Sequence, residues 1–535
     1  MDRLIKGDTL AQIAAYDAIQ KVRLPAIFGI WLLVSLILLI ISMPGIIAAR
    51  FPDPDDLLRL LQVRDWLAGQ DWYDVRQYRM NAPDGAPMHW SRLVDIPIAI
   101  VITLLTPLMG ASRAEMAAII IIPALTLFCV MWLVAILTNR LGTNHMGTNR
   151  QGTGKSGLEA AYLACFVIVM IVPVVHQLRP MRIDHHGWQI VMALLALSGF
   201  LDARPQRGAI VTGGALALWL SISMEGLPMA AAFMGGFAIL WLCSNAHRHL
   251  LVMAMAALTG TSGILFAATR IFASDSWTQY CDAISPVHIG VFALGTGMLA
   301  ILARLNPEPR SALLAGFGLT GSSALALFYG AAPQCTNGAF GQLDPLVYNF
   351  WYLRVNEGLP LWHQPFVQII QNLAVPVIAV FTLLIHWLRF NRRSDQGRGV
   401  TLAAYAQTLQ GRTAMMLCCA LAISFMVERA AAVSCMIALP ITANMLMILL
   451  KKVRSLGSPF ARIGGTLGVF AMAVPGLIVA PASALISTKA QDADKGRALI
   501  QDASTCQQYA QLQLIQELPA GNIMTPLELG PYILY

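Results

Sequence analysis

Three carboxylates, Asp53, Asp55 and Asp56, stand within four residues in the stretch FPDPDDLLRLLQVRDW, immediately behind an unbroken apolar run. Acids packed this closely repel one another unless a cation or a shared proton relieves them. The chemistry they offer is divalent-cation binding or general-base proton transfer. The plainer reading is a helix start. Leu57, Leu58, Leu60, Leu61, Val63 and Leu67 give an apolar face behind the acids, and carboxylates favour a helix N-terminus. One acid suffices for a cap, which leaves two to account for.

A second cluster, HQLRPMRIDHHGWQ, sets Arg179 and Arg182 beside Asp184, His185 and His186. Carboxylate oxygen suits Mg²⁺ or Mn²⁺, and imidazole tilts the choice toward Mn²⁺ or a transition metal. Guanidinium groups bind phosphate bidentately. The alternative is a hydrogen-bonded cap on the helix that follows. A third stretch, CTNGAFGQLDPLVYNFWYLRVNEGLPLW, carries Trp351, Arg354 and Glu357, and its aromatic residues also fit an interfacial belt. Glu225, Glu428 and Arg429 are ionisable residues set between apolar segments. A charge at the bilayer centre costs about 2.5–3.5 kcal/mol, so such residues are functional candidates by default.

These clusters need a scaffold that gathers remote loops on one face. The chain has 535 residues, 57% hydrophobic and 12% charged, with a mean hydropathy of +0.63, the balance of a polytopic membrane protein. The net charge of +8 is scattered in short clusters between apolar runs, as membrane topology places it, and no nucleic-acid partner is implied. There is no Walker-type phosphate loop and no paired histidine on a helix face, which argues against ATP hydrolysis by this chain. The first run, 25–47, is too long for a signal-peptide core and lacks a cleavage site behind it, so it reads as a retained first span.

Fourteen apolar segments are long enough to be spans: 25–47, 93–110, 115–138, 158–175, 187–202, 208–223, 228–243, 249–270, 285–304, 310–331, 365–388, 412–427, 432–450 and 461–484. If all cross, the loops holding Arg140 to Lys155, Arg389 to Arg398 and Lys451 to Arg454 fall outside, inverting the positive-inside rule. Setting aside 93–110, which contains Pro97 and Pro107, returns each strongly basic loop to the cytoplasm. The expected fold is an all-α polytopic membrane protein of thirteen spans, N-terminus in and C-terminus out, with 93–110 in or against the outer interface. Residues 1–24 are then cytoplasmic, 25–484 form the transmembrane domain, and 485–535 are an extracytoplasmic segment read as the start of a short α/β domain. The outer loops are 48–114, 176–186, 224–227, 271–284, 332–364 and 428–431. Arg179, Arg182 and Arg429 lie outside against the charge rule, which marks them. Six of the nine cysteines lie in apolar segments, whereas Cys281 and Cys335 fall in two different outer loops and predict a disulfide in an oxidising compartment.

With these clusters in this order and on one face, the chain resembles the family C fold (GT-C) membrane glycosyltransferases, most closely the catalytic subunit of oligosaccharyltransferase. Asp53, Pro54 and Arg59 match the family's first-loop motif, and Arg179, Asp184 and His186 its second, with histidine in place of the second acid. Val355, Glu357, Pro360 and Trp362 match the fifth-loop motif, and Arg429 stands where the family places an arginine against the donor phosphate. The family's Trp-Trp-Asp acceptor motif is absent after the last span, so an Asn-sequon acceptor is not implied.

The resemblance implies that Asp53 is the catalytic acid, with Asp55 and Asp56 as alternative bearers of the role. It implies a divalent cation, Mg²⁺ or Mn²⁺, held by Asp53, Asp184 and His186 with His185 and Glu357 in reach. Arg429, Arg179 and Arg182 would face the donor phosphate, and Arg59, Glu225, Trp351 and Arg354 are further site candidates. The implied activity moves a sugar or glycan from a polyprenyl-phosphate or polyprenyl-diphosphate donor to a glycan, lipid or protein acceptor, on the outer face of the cell's inner (plasma) membrane. The rival class is a secondary transporter, whose ionisable residues lie near the midplane between symmetric halves. This chain gathers its acids and histidines on one face and has no matching halves.

Overall fold

The computed structural model describes residues 22–88, 90–143, 155–338, 343–393 and 401–474, with 519, 521–525 and 529–534 of the C-terminal segment. Helix α1 (Leu24–Ile47) leads into a loop that holds helix α2 (Pro54–Leu67) and a two-residue antiparallel ribbon, β1 (Arg76–Gln77) against β2 (Ala86–Pro87). No other strand occurs among the described residues. Then follow α3 (Arg92–Met109), α4 (Ala111–Thr143), α5 (Lys155–Ile168), α6 (Val172–Leu178), α7 (His186–Phe200), α8 (Pro205–Ile222), α9 (Leu227–Cys243) and α10 (Arg248–Thr269). The second half comprises α11 (Pro286–Leu305), α12 (Arg310–Ala331), α13 (Pro345–Phe350), α14 (Phe366–Arg393), α15 (Leu402–Ala406), α16 (Leu409–Met426), α17 (Ala431–Arg454) and α18 (Pro459–Ala473), with α19 (Gly530–Leu534) in the C-terminal segment.

Each of the fourteen apolar segments is helical where described. Prolines fix several starts: Pro54, Pro205, Pro228, Pro286 and Pro459 sit in the first turn of their helices, where a missing N–H breaks no bond. Among the described residues ten helices are long and apolar enough to cross a membrane, or eleven if a bent pair counts as one span, fewer than the thirteen expected. Two physical reasons account for part of the difference. The segment 158–175 is two helices meeting at 72°, because Pro173 begins α6 after the break. Helix α7 has only 15 residues. The end of the last segment, 475–484, lies outside the described residues, as does 485–518.

Two hydrophobic cores organise the chain. The larger is built around α17, the most buried of the long helices, which packs on α4, α5, α7, α14, α16 and α18. Close approach matters here: a Cβ on Gly213 of α8 would collide with the backbone carbonyl of Ala254 on α10, so only glycine lets those two helices meet. The smaller core joins Leu57, Leu60 and Val63 of α2, Ile98, Ala99 and Ile102 of α3, and Ala114, Ala118, Ile119 and Ile122 of α4. Helix α4 serves both. Its 33 residues reach about 50 Å, well beyond the roughly 30 Å hydrocarbon layer. Helix α3 folds back along it after Gly110, which takes a φ of +82°. Although α3 passes the length and apolarity test for a span, its buried face belongs to this second core. Helix α19 also packs on α2, and the Tyr532 hydroxyl donates to the Phe51 carbonyl at 3.2 Å. That end of the chain therefore shares a face with loop 48–114.

Candidate active site

Residues from every predicted outer loop line one cavity of about 1410 Å³, including Asp55, His185, Glu225, Asp282, Glu357, Arg429 and, from the C-terminal segment, Pro531. Its acidic wall is the start of α2. Asp53 is the N-cap, its Oδ1 accepting from the Asp55 N–H at 3.0 Å, while its Oδ2 lies 2.7 Å from Arg182 Nη1. Asp56 is fully buried. Its Oδ1 accepts from the Asp184 N–H at 2.9 Å and its Oδ2 from Arg182 at 3.2 Å. The cap reading and the charged reading are both realised, by different acids. Arg182 pins the first loop to the second.

Asp55 differs from its neighbours. It faces the cavity, and its carboxylate has no hydrogen-bond or ion-pair partner among the described residues. Burial, reinforced by the carboxylates of Asp184 and Asp53, raises its pKa to about 7. Burial also raises Asp56 to about 8, against the opposing pull of Arg182.

Asp184, His185 and His186 form the only group of three or more metal-ligand residues among those described whose donor atoms lie within 4.8 Å of one another. Asp53 and Glu357, the other expected ligands, are not members. Asp184 Oδ1 is 2.6 Å from His185 Nδ1 and accepts from Arg59 Nη2 at 3.1 Å. Its Oδ2 lies 3.0 Å from His186 Nδ1 but has no hydrogen bond, and His186 Nε2 is likewise buried without a partner. Three metal-ligating residues with donor atoms within 4.8 Å of one another, one of them carrying a buried imidazole nitrogen without a partner, fit a divalent ion. Although burial pushes it up, the two imidazoles hold Asp184 well below the usual carboxylate range. Burial lowers the affinity of His185 for a proton, but Asp184 more than reverses this.

Arg59 is only 1% exposed and bridges Asp184 to Asp95, which it meets at 3.0 Å. Its guanidinium stacks 4.6 Å from the Trp90 ring, and Asp95 is also paired with Arg92 at 3.3 Å. Arg92 and Asp95 went unnoticed in the sequence because they lie in the segment set aside as interfacial. The signal was an acid and a base three apart at the head of an apolar helix.

Across the cavity, Arg429 Nη1 lies 2.6 Å from Glu225 Oε1 and 3.8 Å from Glu357 Oε1, and Glu225 also accepts from Gln189 at 2.9 Å. Of the three arginines expected at a phosphate, Arg182 is thus neutralised by two acids and Arg429 is bracketed by two others. Arg179 has no carboxylate partner within ion-pair distance among the described residues; its Nη2 lies 3.4 Å from His176 Nε2. Trp351 lines the cavity, whereas the Arg354 side chain lies outside the described residues. The expected disulfide is present: Cys281 and Cys335 are bonded with their Cα atoms 5.4 Å apart, joining two loops at the cavity rim.

No family model and no curated protein sequence matches the chain. Solved structures do. The chain superposes on the apo oligosaccharyltransferase of Archaeoglobus fulgidus with a TM-score of 0.54 at 15% identity, over 85% of this chain and 55% of that one. The same organism's AglB, in complex with an inhibitory peptide and a dolichol-phosphate, gives 0.57 at 15% identity with the same coverage. A complex of that oligosaccharyltransferase with Zn and sulfate gives 0.53 at 15%, over 85% and 52%. The chain is a multi-pass membrane protein with the GT-C fold. The fold is shared with archaeal AglB, of which this chain spans about half the length.

Proposed function

We propose that the protein is a membrane glycosyltransferase that moves a sugar or glycan from a polyprenyl-phosphate or polyprenyl-diphosphate donor to an acceptor on the extracytoplasmic face of the plasma membrane. One observation carries the reading. In a GT-C fold, Asp53 and Asp55 of the first loop and His185 and His186 of the second, the two histidines grouped with Asp184, line a cavity with Arg429, and every predicted outer loop reaches it. The thirteen-span topology belongs to the same proposal, with α3 lying against the outer interface beside the projecting end of α4.

In this reading Asp184, His185 and His186 hold a divalent cation, with Asp55 as the adjoining acid. The ion supplies positive charge that stabilises the leaving phosphate. Arg429 binds and orients the donor's phosphate, and the brackets from Glu225 and Glu357 hold its guanidinium in place. Asp55, whose carboxylate is open to the cavity, takes the proton of the acceptor. Asp53 and Asp56 act through Arg182 to position the loop. This moves the catalytic role from Asp53, whose two oxygens are both engaged, to Asp55. Arg59 and Asp95 fix Asp184.

The test is transfer from a polyprenyl-diphosphate-linked sugar by the purified protein in lipid. Asp55→Asn and Asp184→Asn each abolish turnover while the protein remains folded, and chelation abolishes wild-type turnover. Near-normal transfer by both variants refutes the site, and indifference to chelation refutes the cation.

A further inference from the structure

One polar cluster on the cavity wall takes no part in the arrangement above. Glu428 precedes Arg429 in the short 3₁₀ turn that opens α17, and it does not pair with that arginine. Instead its Oε1 accepts from Gln368 Nε2 at 2.9 Å and from Asn372 Nδ2 at 2.8 Å, both on α14. Its Oε2 has no donor among the described residues, and it is not among the sealed unsatisfied atoms. Gln371 stands on the same wall without a hydrogen-bond partner among the described residues. The three amides at 368, 371 and 372 follow helical i, i+3, i+4 spacing, so they present one face, and that face lines the cavity with Glu428.

A carboxylate with one oxygen fixed by two amides and the other open can only accept hydrogen bonds. Its ligand must therefore bring donors. The groups beside the open oxygen on this wall are amides rather than further acids, which suits hydroxyl groups, donors without charge. Gln371 adds an amide that both donates and accepts. A planar carboxylate and amides in a roomy cavity that Trp351 also lines match the hydroxyls and apolar face of a pyranose.

We infer that Glu428, Gln371 and Asn372 form the subsite for the sugar ring attached to the donor's phosphate. The inference rests on the lipid-linked-donor reading. Arg429 and Glu428 line the same cavity, so a phosphate held by Arg429 keeps the ring bonded to it in the space that Glu428 faces. Phosphate and first sugar are thereby read by two consecutive residues whose side chains diverge. Glu428 selects hydroxyl orientation, and Gln368 and Asn372 orient Glu428.

The test compares binding, to the full chain in nanodiscs, of bare polyprenyl phosphate and of polyprenyl phosphates carrying glucose, galactose, mannose or N-acetylglucosamine. Wild type binds the bare lipid and prefers one or two of the sugars. Glu428→Gln replaces an acceptor by a donor and weakens the preferred glycosylated lipid by about tenfold or more, leaving bare-lipid affinity unchanged. Gln371→Ala, which removes no internal hydrogen bond, reduces the same preference without altering the fold. Arg429→Gln weakens every lipid alike. If Glu428→Gln and Gln371→Ala change glycosylated and bare lipids by equal factors, or change neither, the sugar subsite is wrong and the donor reading stands. If wild type binds none of these lipids, nor their diphosphate counterparts, the donor reading itself is wrong and the subsite falls with it.

Discussion

Replacing Arg182 by methionine keeps the length of the side chain and removes its charge. Arg182 Nη1 serves Asp53 at 2.7 Å and Asp56 at 3.2 Å, and the Asp56 side chain has no exposed surface. Breaking a buried pair by deleting one partner costs about 3–5 kcal/mol, because the other charge is left without compensation. Asp53, at 21% side-chain exposure, regains water, so most of the loss falls on Asp56. Asp56 limits that loss by taking up a proton, which burial already favours near pH 8. The expected destabilisation is therefore at the lower end, about 3 kcal/mol. Adding Asp56→Asn removes the orphaned charge, so the double variant is less destabilised than the sum of the singles, by about 0.5–3 kcal/mol. Denaturant titration of the purified protein and its three variants measures this cycle. A single variant within about 0.5 kcal/mol of wild type, or strict additivity, refutes the account of Arg182 as the clasp between the loops.

Further expectations follow from the same geometry. Mn²⁺ at about 100 times its Kd raises wild-type stability by about 2.7 kcal/mol, and Asp184→Asn removes that gain; thermal melting with and without the ion decides it. Replacing Cys281 and Cys335 together by serine costs about 4 kcal/mol on the chain-entropy account of a cross-link spanning 54 positions, read as a lower melting temperature. Non-reducing mass mapping of the wild type finds the two residues linked. Gly213→Ala forces α8 from α10 and costs about 1–3 kcal/mol, whereas Gly235→Ala, with nothing within 4 Å of the added carbon, costs little.

The helices were legible because apolar runs of span length leave few alternatives in lipid, and all fourteen runs are helical where described. The break before α6 was written in Pro173 but hidden by the continuous apolarity around it. Charge bias alone set Asp55, His185, Glu225, Glu357 and Arg429 on one expected face, and these residues line a common cavity. The partners of individual side chains were not legible. That Arg182 meets Asp56 across 126 positions, rather than an open phosphate site, depends on how α2 docks on α3 and α4. The amide row on α14 escaped notice because Gln and Asn carry no charge, and the search for chemistry in apolar runs follows charge.

The hydrogen bond from Tyr532 to the Phe51 carbonyl joins positions 481 apart. At about 5–20 residues per second, a ribosome needs roughly 25 to 100 seconds to travel that distance. For that interval the nascent first loop waits, its acidic helix made but its cover unmade, while all the intervening spans are threaded into the bilayer. Closure of this wall of the cavity therefore follows insertion of the spans between, and the scaffold beneath the first loop is in place before its cover arrives.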